Sequence, residues 1–295
     1  MKSRIARQLP EKMQRSKLHR FNFMLDPSYR TIAVASTFSP RFAQVLSEAK
    51  RIRDRFNSRL NLIYVGERSD ETVRKFSDII RELELPADSP IHYHQGDPAA
   101  AILEAARANN VDLIVAGALE KELVLRSFLG NVARRLVRDA GCSVMLFTKP
   151  ERPPRPLRKI VFVAFDYSEH EQRALRKTLH LAAKESSERL YVIRVYTTFD
   201  EARAARRSDE TPPARTLEEE EAALEKFILA AGHTDVPIEA RSVRGNTGYV
   251  ASDFVQSVEA NLLAVPVQMN AETKEFPAHI AWVTDVIPCN LWIIR

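Results

Sequence analysis

Gly117 and Gly130 are the residues of this 295-residue chain that most invite a chemical reading. Gly117 follows the apolar run VDLIVA, and Gly130 opens GNVARRL, which reads as the start of a helix. A glycine lets backbone approach a ligand closely, and the unpaired N–H groups of a first helical turn attract an anion. Together they suggest a phosphate cradle, with Asn131 able to cap the helix and donate a hydrogen bond. Glu120 and Glu122 oppose that idea, because both stand in the loop between the two glycines. The residues leave two readings open: a nucleotide cradle, or a strand–helix connection whose glycines only permit close packing.

Other chemistry is thinner. His92 and His94 form H-x-H on a strand, so their side chains share one face, but no further ligand lies at a metal-binding spacing. Cys142 and Cys289 are too few for a disulfide framework and read as packed thiols, with redox sensing as the other option. Arg134, Arg135 and Arg138 could approach a phosphate or an acidic partner, or line a solvated helix face. TLEEEEAALEKF, from Thr216, is an acidic helix start that suits the helix dipole and needs no partner.

The elements that must position these residues occur twice. TIAVASTFSPRFAQVLSEAKRIRDRFNSRLNLIYV begins at Thr31, and KIVFVAFDYSEHEQRALRKTLHLAAKESSERLYVIRV begins at Lys159. Each predicts strand, helix-capping serine (Ser39, Ser168), amphipathic helix and second strand. PIHYHQGDPAAAILEAARANNVDLIVAG then parallels PIEARSVRGNTGYVASDFVQSVEANLLAVP, and LVRDAGCSVMLF parallels WVTDVIPCNLWII. Short apolar strands alternating with helices predict parallel sheets covered on both faces. The expected organisation is a basic segment over 1–29, a domain over 30–150, a stiff proline-rich linker over 151–157 and a second domain over 158–295. The stretch DEARAARRSDETPPAR reads as a loop.

This order resembles the universal stress protein family in its tandem two-domain form. The carrying pieces are the first strand ending in FSP, GDPAAAILEAA, DLIVAG, the loop reaching LGNVARRLV, and CSVMLF. The resemblance implies two Rossmann-like (adenine nucleotide alpha hydrolase-like) α/β domains, each a five-stranded parallel sheet of order 3-2-1-4-5. It also implies pairing through the last strand, as a homodimer or as a pseudo-dimer within the chain. Nucleotide-binding members carry G-x2-G-x9-G-[S/T]; here Gly117, Glu120, Gly130 and Asn131 fall on those positions. A carboxylate about 6 Å from a phosphate costs on the order of 3 kcal/mol at an effective dielectric near 20. That is roughly a hundredfold in affinity. Thr37 stands where such members place an aspartate, and Val65 keeps the small apolar residue expected against the base. The second repeat keeps Asp166 and Val195, the latter matching Val65, but has Pro266 and Pro277 on the outer glycine positions. Its site is expected to be degenerate, with Asp166 a helix cap or a remnant.

Lys2, Arg4, Arg7, Lys12, Arg15, Lys17 and Arg20 face only Glu11 in the first twenty positions, so the net charge of +5 belongs largely to this arm. The arm reads as a leader, as a segment docking on the folded body, or as an anion contact. Docking is preferred to the anion contact, and neither nucleic acid nor a membrane is its expected partner. Without an apolar leader or spanning segment, a cytoplasmic protein is expected. The function expected is a non-catalytic stress-response regulator with an unidentified protein client, no obligate cofactor and no metal. ATP or AMP, with Mg²⁺ if ATP, would bind only in the first domain. An ATP/AMP sensor or slow ATP hydrolase is the alternative.

Overall fold

The computed structural model describes residues 7–8, 29–36, 40–118, 129–197, 215–245, 249–269, 275–285 and 288–295. The chain forms two compact units. The first-repeat unit holds Ser28–Pro156 and Val267–Arg295; the second-repeat unit holds Met1–Pro27 and Leu157–Pro266.

A two-residue strand β1 (Arg7–Gln8) precedes the repeats. The first repeat runs β2 (Thr31–Ser36), α1 (Phe42–Phe56), β3 (Arg59–Val65), α2 (Asp70–Glu82), β4 (Ile91–His94), α3 (Pro98–Ala108), β5 (Leu113–Gly117), α4 (Asn131–Asp139) and β6 (Ser143–Phe147). The second runs β7 (Lys159–Ala164), α5 (Glu169–Lys184), β8 (Arg189–Tyr196), α6 (Leu217–Ala231), β9 (Ile238–Arg244), α7 (Tyr249–Ser257), β10 (Leu262–Pro266), a 3-10 segment (Ala278–Thr284) and β11 (Asn290–Ile294).

In the first-repeat unit the strands lie β4-β3-β2-β5-β6, which is the order 3-2-1-4-5, all parallel. β11 follows β6 antiparallel, with Trp292 opposite Met145. In the second-repeat unit β9-β8-β7-β10 gives the same 3-2-1-4 order, again parallel. Strands such as LIVAG, SVMLF and LLAVP are buried along nearly their whole length because helices cover both faces.

The compact units do not follow the repeat boundaries, because 267–295 packs with the first repeat. The physical reason lies in β11. Trp292 is fully buried, with its ring edge-on to Tyr29 and Phe56, and it donates its indole N–H to the Tyr29 hydroxyl at 3.2 Å. Asn290 accepts from the Thr148 backbone N–H at 3.0 Å.

Helix starts mostly follow their caps. Asp97, Ser168 and Thr216 each accept a first-turn N–H through the side chain. The expected cap at Ser39 is corrected: α1 is entered at Arg41, with no side-chain cap, and Ser39 itself lies outside the described residues. The stretch DEARAARRSDETPPAR also lies outside them except for its last residue, Arg215.

Candidate nucleotide crevice

In the first repeat the strand order reverses between β2 and β5, and the carboxyl ends of these strands are where open parallel sheets bind ligands. Strand register decides what reaches them. Ser36 pairs with Tyr64, which puts Val65 one residue beyond the end of β2. Val34 pairs with Val115, which brings Gly117 level with Ser36. Val65 and Gly117 are therefore brought to the same, carboxyl end of the sheet on either side of β2. Thr37 and Glu120 lie outside the described residues, as do Glu122 and the rest of 119–128.

Gly117 has a packing reason for lacking a side chain. A Cβ there would meet Val45 Cγ2 of α1 at 3.0 Å. The packing reading of this glycine thus holds whatever ligand it meets. Gly130 precedes α4 with φ −63° and ψ 158°, an extended conformation open to any residue. No side-chain cap is made there, unlike the starts of α2, α3, α5 and α6. The first turn of α4 has no side-chain acceptor from its cap residue, and Asn131 beside it is exposed. Ala133, Leu136 and Val137 bury the other face of α4.

Of the three arginines on α4, Arg135 is engaged by Asp97, which also accepts the Ala100 N–H at the start of α3. These donors hold the Asp97 carboxyl below the usual carboxylate range, the backbone bond foremost. Gly96, just before it, sits at φ +98°, where glycine is needed for the strand-to-helix turn. Arg134 keeps Nε buried without a hydrogen-bond partner among the described residues. Arg138 is exposed.

The matching corner of the second repeat is filled by the chain itself. Glu171, in the first turn of α5, turns its carboxylate back under the end of β7. It accepts the N–H groups of Phe165 at 2.9 and 3.0 Å, Asp166 at 3.2 Å and Tyr167 at 3.0 Å. Burial, and then the Asp166 charge, push its carboxyl up to about 7 against the pull of those donors. Asp166 accepts the Ser168 N–H at 2.9 Å, so it shapes the helix entry as a local cap.

Tyr167 takes the left-handed conformation at φ 60° and donates its hydroxyl to Glu220 at 2.6 Å. Its ring lies 5.1 Å from Phe227 and within cation–π range of Arg194 and Arg215. Burial, followed by the Glu220 bond, keeps the phenol protonated. Glu220 also binds Arg194 at 3.0 Å. Val195 is half-buried beside this cluster in sequence. Pro266 ends β10, and Pro277 precedes a seven-residue 3-10 segment where the first repeat has α4.

Sequence reading missed Glu171, Tyr167, Glu220 and Arg194. One signal was present: SEHE, from Ser168, has the S-x-x-E spacing of a capping box. Ser168 does cap α5, but the glutamate reaches the three N–H groups of residues 165–167.

The remaining candidates stay modest. His92 is partly buried, which lowers its pKa, and its Nε2 has no hydrogen-bond partner among the described residues. Among those residues no group of three or more His, Cys, Asp or Glu could hold a metal ion. Cys142 is a free thiol that burial pushes up to about 11, which makes it a poor thiolate. Cys289 donates to the Asn290 carbonyl. Among the described residues no helix is long and apolar enough to cross a membrane.

Comparison with known proteins agrees with this geometry. A profile described as the universal stress protein family matches residues 28–148 and 157–274. A universal stress protein of Methanocaldococcus jannaschii is 40% identical over 58 residues, spanning 20% of this chain and 34% of that relative. The match therefore covers about a third of the relative's length. A functionally unknown protein from Pseudomonas aeruginosa PAO1 superposes with TM-score 0.65 at 16% identity, over 91% of this chain and 93% of its own. A universal stress protein from Archaeoglobus fulgidus DSM 4304 does so with TM-score 0.64 at 14% identity, over 90% and 98%. At those identities the structural likeness shows the fold alone. With family matches over both repeats, the chain belongs to the universal stress protein family, in tandem form.

Proposed function

We propose that this chain is a non-catalytic stress-response regulator whose first repeat takes an adenine nucleotide weakly and whose second repeat takes none. The observation that carries this reading is the asymmetry of the two corners. α4 is a nine-residue helix entered at Gly130, whereas the second repeat has Pro277 and a 3-10 segment in its place and Glu171 occupies the N–H groups after β7. Phosphate oxygens would accept from the first turn of α4, and the base would lie against Val65. ATP or AMP fits these donors, with Mg²⁺ accompanying ATP. Glu120 weakens the site by placing a carboxylate on a glycine position.

Hydrolysis would need an acid to hold Mg²⁺ and a group to orient water. Asp97 at the start of α3 is already bonded to Ala100 and Arg135, which favours a binding role over a catalytic one. A protein client would then read the nucleotide state.

Calorimetric titration with ATP tests this. Glu120→Gly is expected to tighten binding by up to about a hundredfold, since like-charge repulsion is removed. Neither protein is expected to release phosphate above the buffer rate. Unchanged or weaker affinity in the variant, or steady turnover in the parent, overturns the reading.

A further inference from the structure

The two repeats distribute charge over their helices differently. On α2 of the first repeat opposite charges alternate and close on one another, as in Lys75–Glu71 at 2.6 Å and Arg81–Asp78. In the second repeat they are sorted by helix. Leu175, Thr178 and Ala182 mark the buried face of α5. Opposite them Arg173, Arg176, Lys177, His180 and Lys184 form one stripe at helical spacing. Glu169 is the acid at its start. Arg173 reaches Glu169 at 3.9 Å and Arg176 reaches Gln172 at 3.3 Å, so both find these partners on α5 itself. α6 is the reverse. Leu224, Phe227 and Ile228 are buried, while Glu218, Glu225 and Leu229 lie on the outward face with Glu221 beside them. Lys226 is the cation of this face. Leu229 is 51% exposed. α5 joins β7 to β8 and α6 joins β8 to β9, and these strands are parallel neighbours. The two helices therefore lie parallel on one face of the sheet, packed side by side. The outcome is a surface with a basic half and an acidic half.

We propose that this surface docks a second copy of the chain, with α5 of one copy on α6 of the other about a twofold axis running along the helices. Such an interface is self-complementary, because a basic half meets an acidic half twice. With the helices aligned at their caps, Ser168 and Thr216, Arg173 comes level with Glu221 of the other copy and Lys177 with Glu225. The exposed Leu229 is covered in the same pairing. Packing α5 on α5 instead sets like charges against each other, so charge fixes the orientation. α5 has 16 residues and is about 24 Å long. Two helices about 10 Å apart make the surface about 20 Å wide, which is small for a specific interface. Charge is therefore the main attraction, and salt weakens it.

Sedimentation of the full chain tests this. At low ionic strength the 33.6 kDa chain is expected at about twice that mass. In about 1 M salt, where screening acts beyond about 3 Å, it should return to the mass of a single chain. Arg173→Glu with Arg176→Glu makes the first half of α5 acidic like α6. Glu218→Lys with Glu225→Lys makes α6 basic like α5. Each double variant, shown folded by circular dichroism, should sediment alone as a single chain. Mixed in equal amounts the two should associate again, because each half then meets its opposite. Their net charges are +1 and +9 against +5 for the parent, so attraction between oppositely charged proteins does not account for that result. A parent that stays at single-chain mass overturns the proposal. So does association that either double variant retains, or a mixture that stays dissociated. Single-chain mass together with heparin capture that the α5 variant loses would assign α5 to an acidic partner of another kind, and overturn it too.

Discussion

Aligned at Ser39 and Ser168, the two repeats build the corner beside their first turn from opposite materials. The first uses aromatics: Phe42, Tyr64, Phe76 and Tyr93, with ring centroids 5.5–6.1 Å apart and edge-on. The equivalent positions in the second, by helix cap and strand register, are Glu171, Arg194, Ala223 and Ser242. The lost ring volume is met by Tyr167, which turns in from the loop onto Phe227 and the Arg194–Glu220 pair. In the second corner the buried Glu171 carboxylate commits the amides of residues 165–167. In the function proposed above, one corner receives a ligand and the other has internalised its own.

The largest way to break this comparison is at the aromatic corner. Phe76 is fully buried at the centre of its cluster. Phe76→Ala is expected to cost about 4 kcal/mol, from lost transfer energy and the cavity left behind. Denaturant unfolding measures it. Ala223 marks the same step after the helix cap in α6, so the second repeat depends on no ring there.

The polar corner should show itself through pH. The Glu171 carboxyl is raised from 4.5 to about 7, so the folded chain keeps a proton that the unfolded chain has released within that window. Stability from this group is therefore greatest at the acid end and falls as pH rises from about 4.5 to 7. Glu171→Gln should flatten that part of the stability profile, by on the order of 3 kcal/mol between its ends. Thermal unfolding of parent and variant at both ends of the window reads the difference.

A smaller effect sharpens the role of Gly117. Adding a methyl against Val45 should cost about 1 kcal/mol through overpacking. Gly117→Ala combined with Val45→Ala should cost less than the sum of the two single changes, because the second makes room for the first. Additive losses would remove the packing explanation.

Much of this was legible in the sequence, for physical reasons. Apolar strands such as LIVAG and SVMLF announce a sheet buried on both faces, and their recurrence with Ser168, Asp97 and Thr216 at helix starts gives the order of elements. Gly117 and Val65 could be placed at strand ends because each closes an apolar run, and the register brings them to one end of the sheet. The closed corner was not legible. Tyr167 takes a left-handed conformation that no glycine signals, and Glu220 lies 53 residues from the phenol it holds. The antiparallel pairing of the two last strands, β6 and β11, follows the expected pairing through the last strand, but the ring contacts that hold 267–295 against the first repeat were not legible. These contacts depend on Trp292 meeting Tyr29, 263 residues away in sequence.

Gly130→Asp tests the central claim most directly. Gly130 already has the extended conformation that a capping aspartate adopts, so the change should cap α4 and keep or raise the melting temperature. It also places a carboxylate where the first turn would hold a phosphate. Titration with ATP should show at most one site per chain in the parent, and a loss of affinity of about a hundredfold or more in the variant. Two sites per chain in the parent, or undiminished affinity in the folded Gly130→Asp protein, would contradict the account.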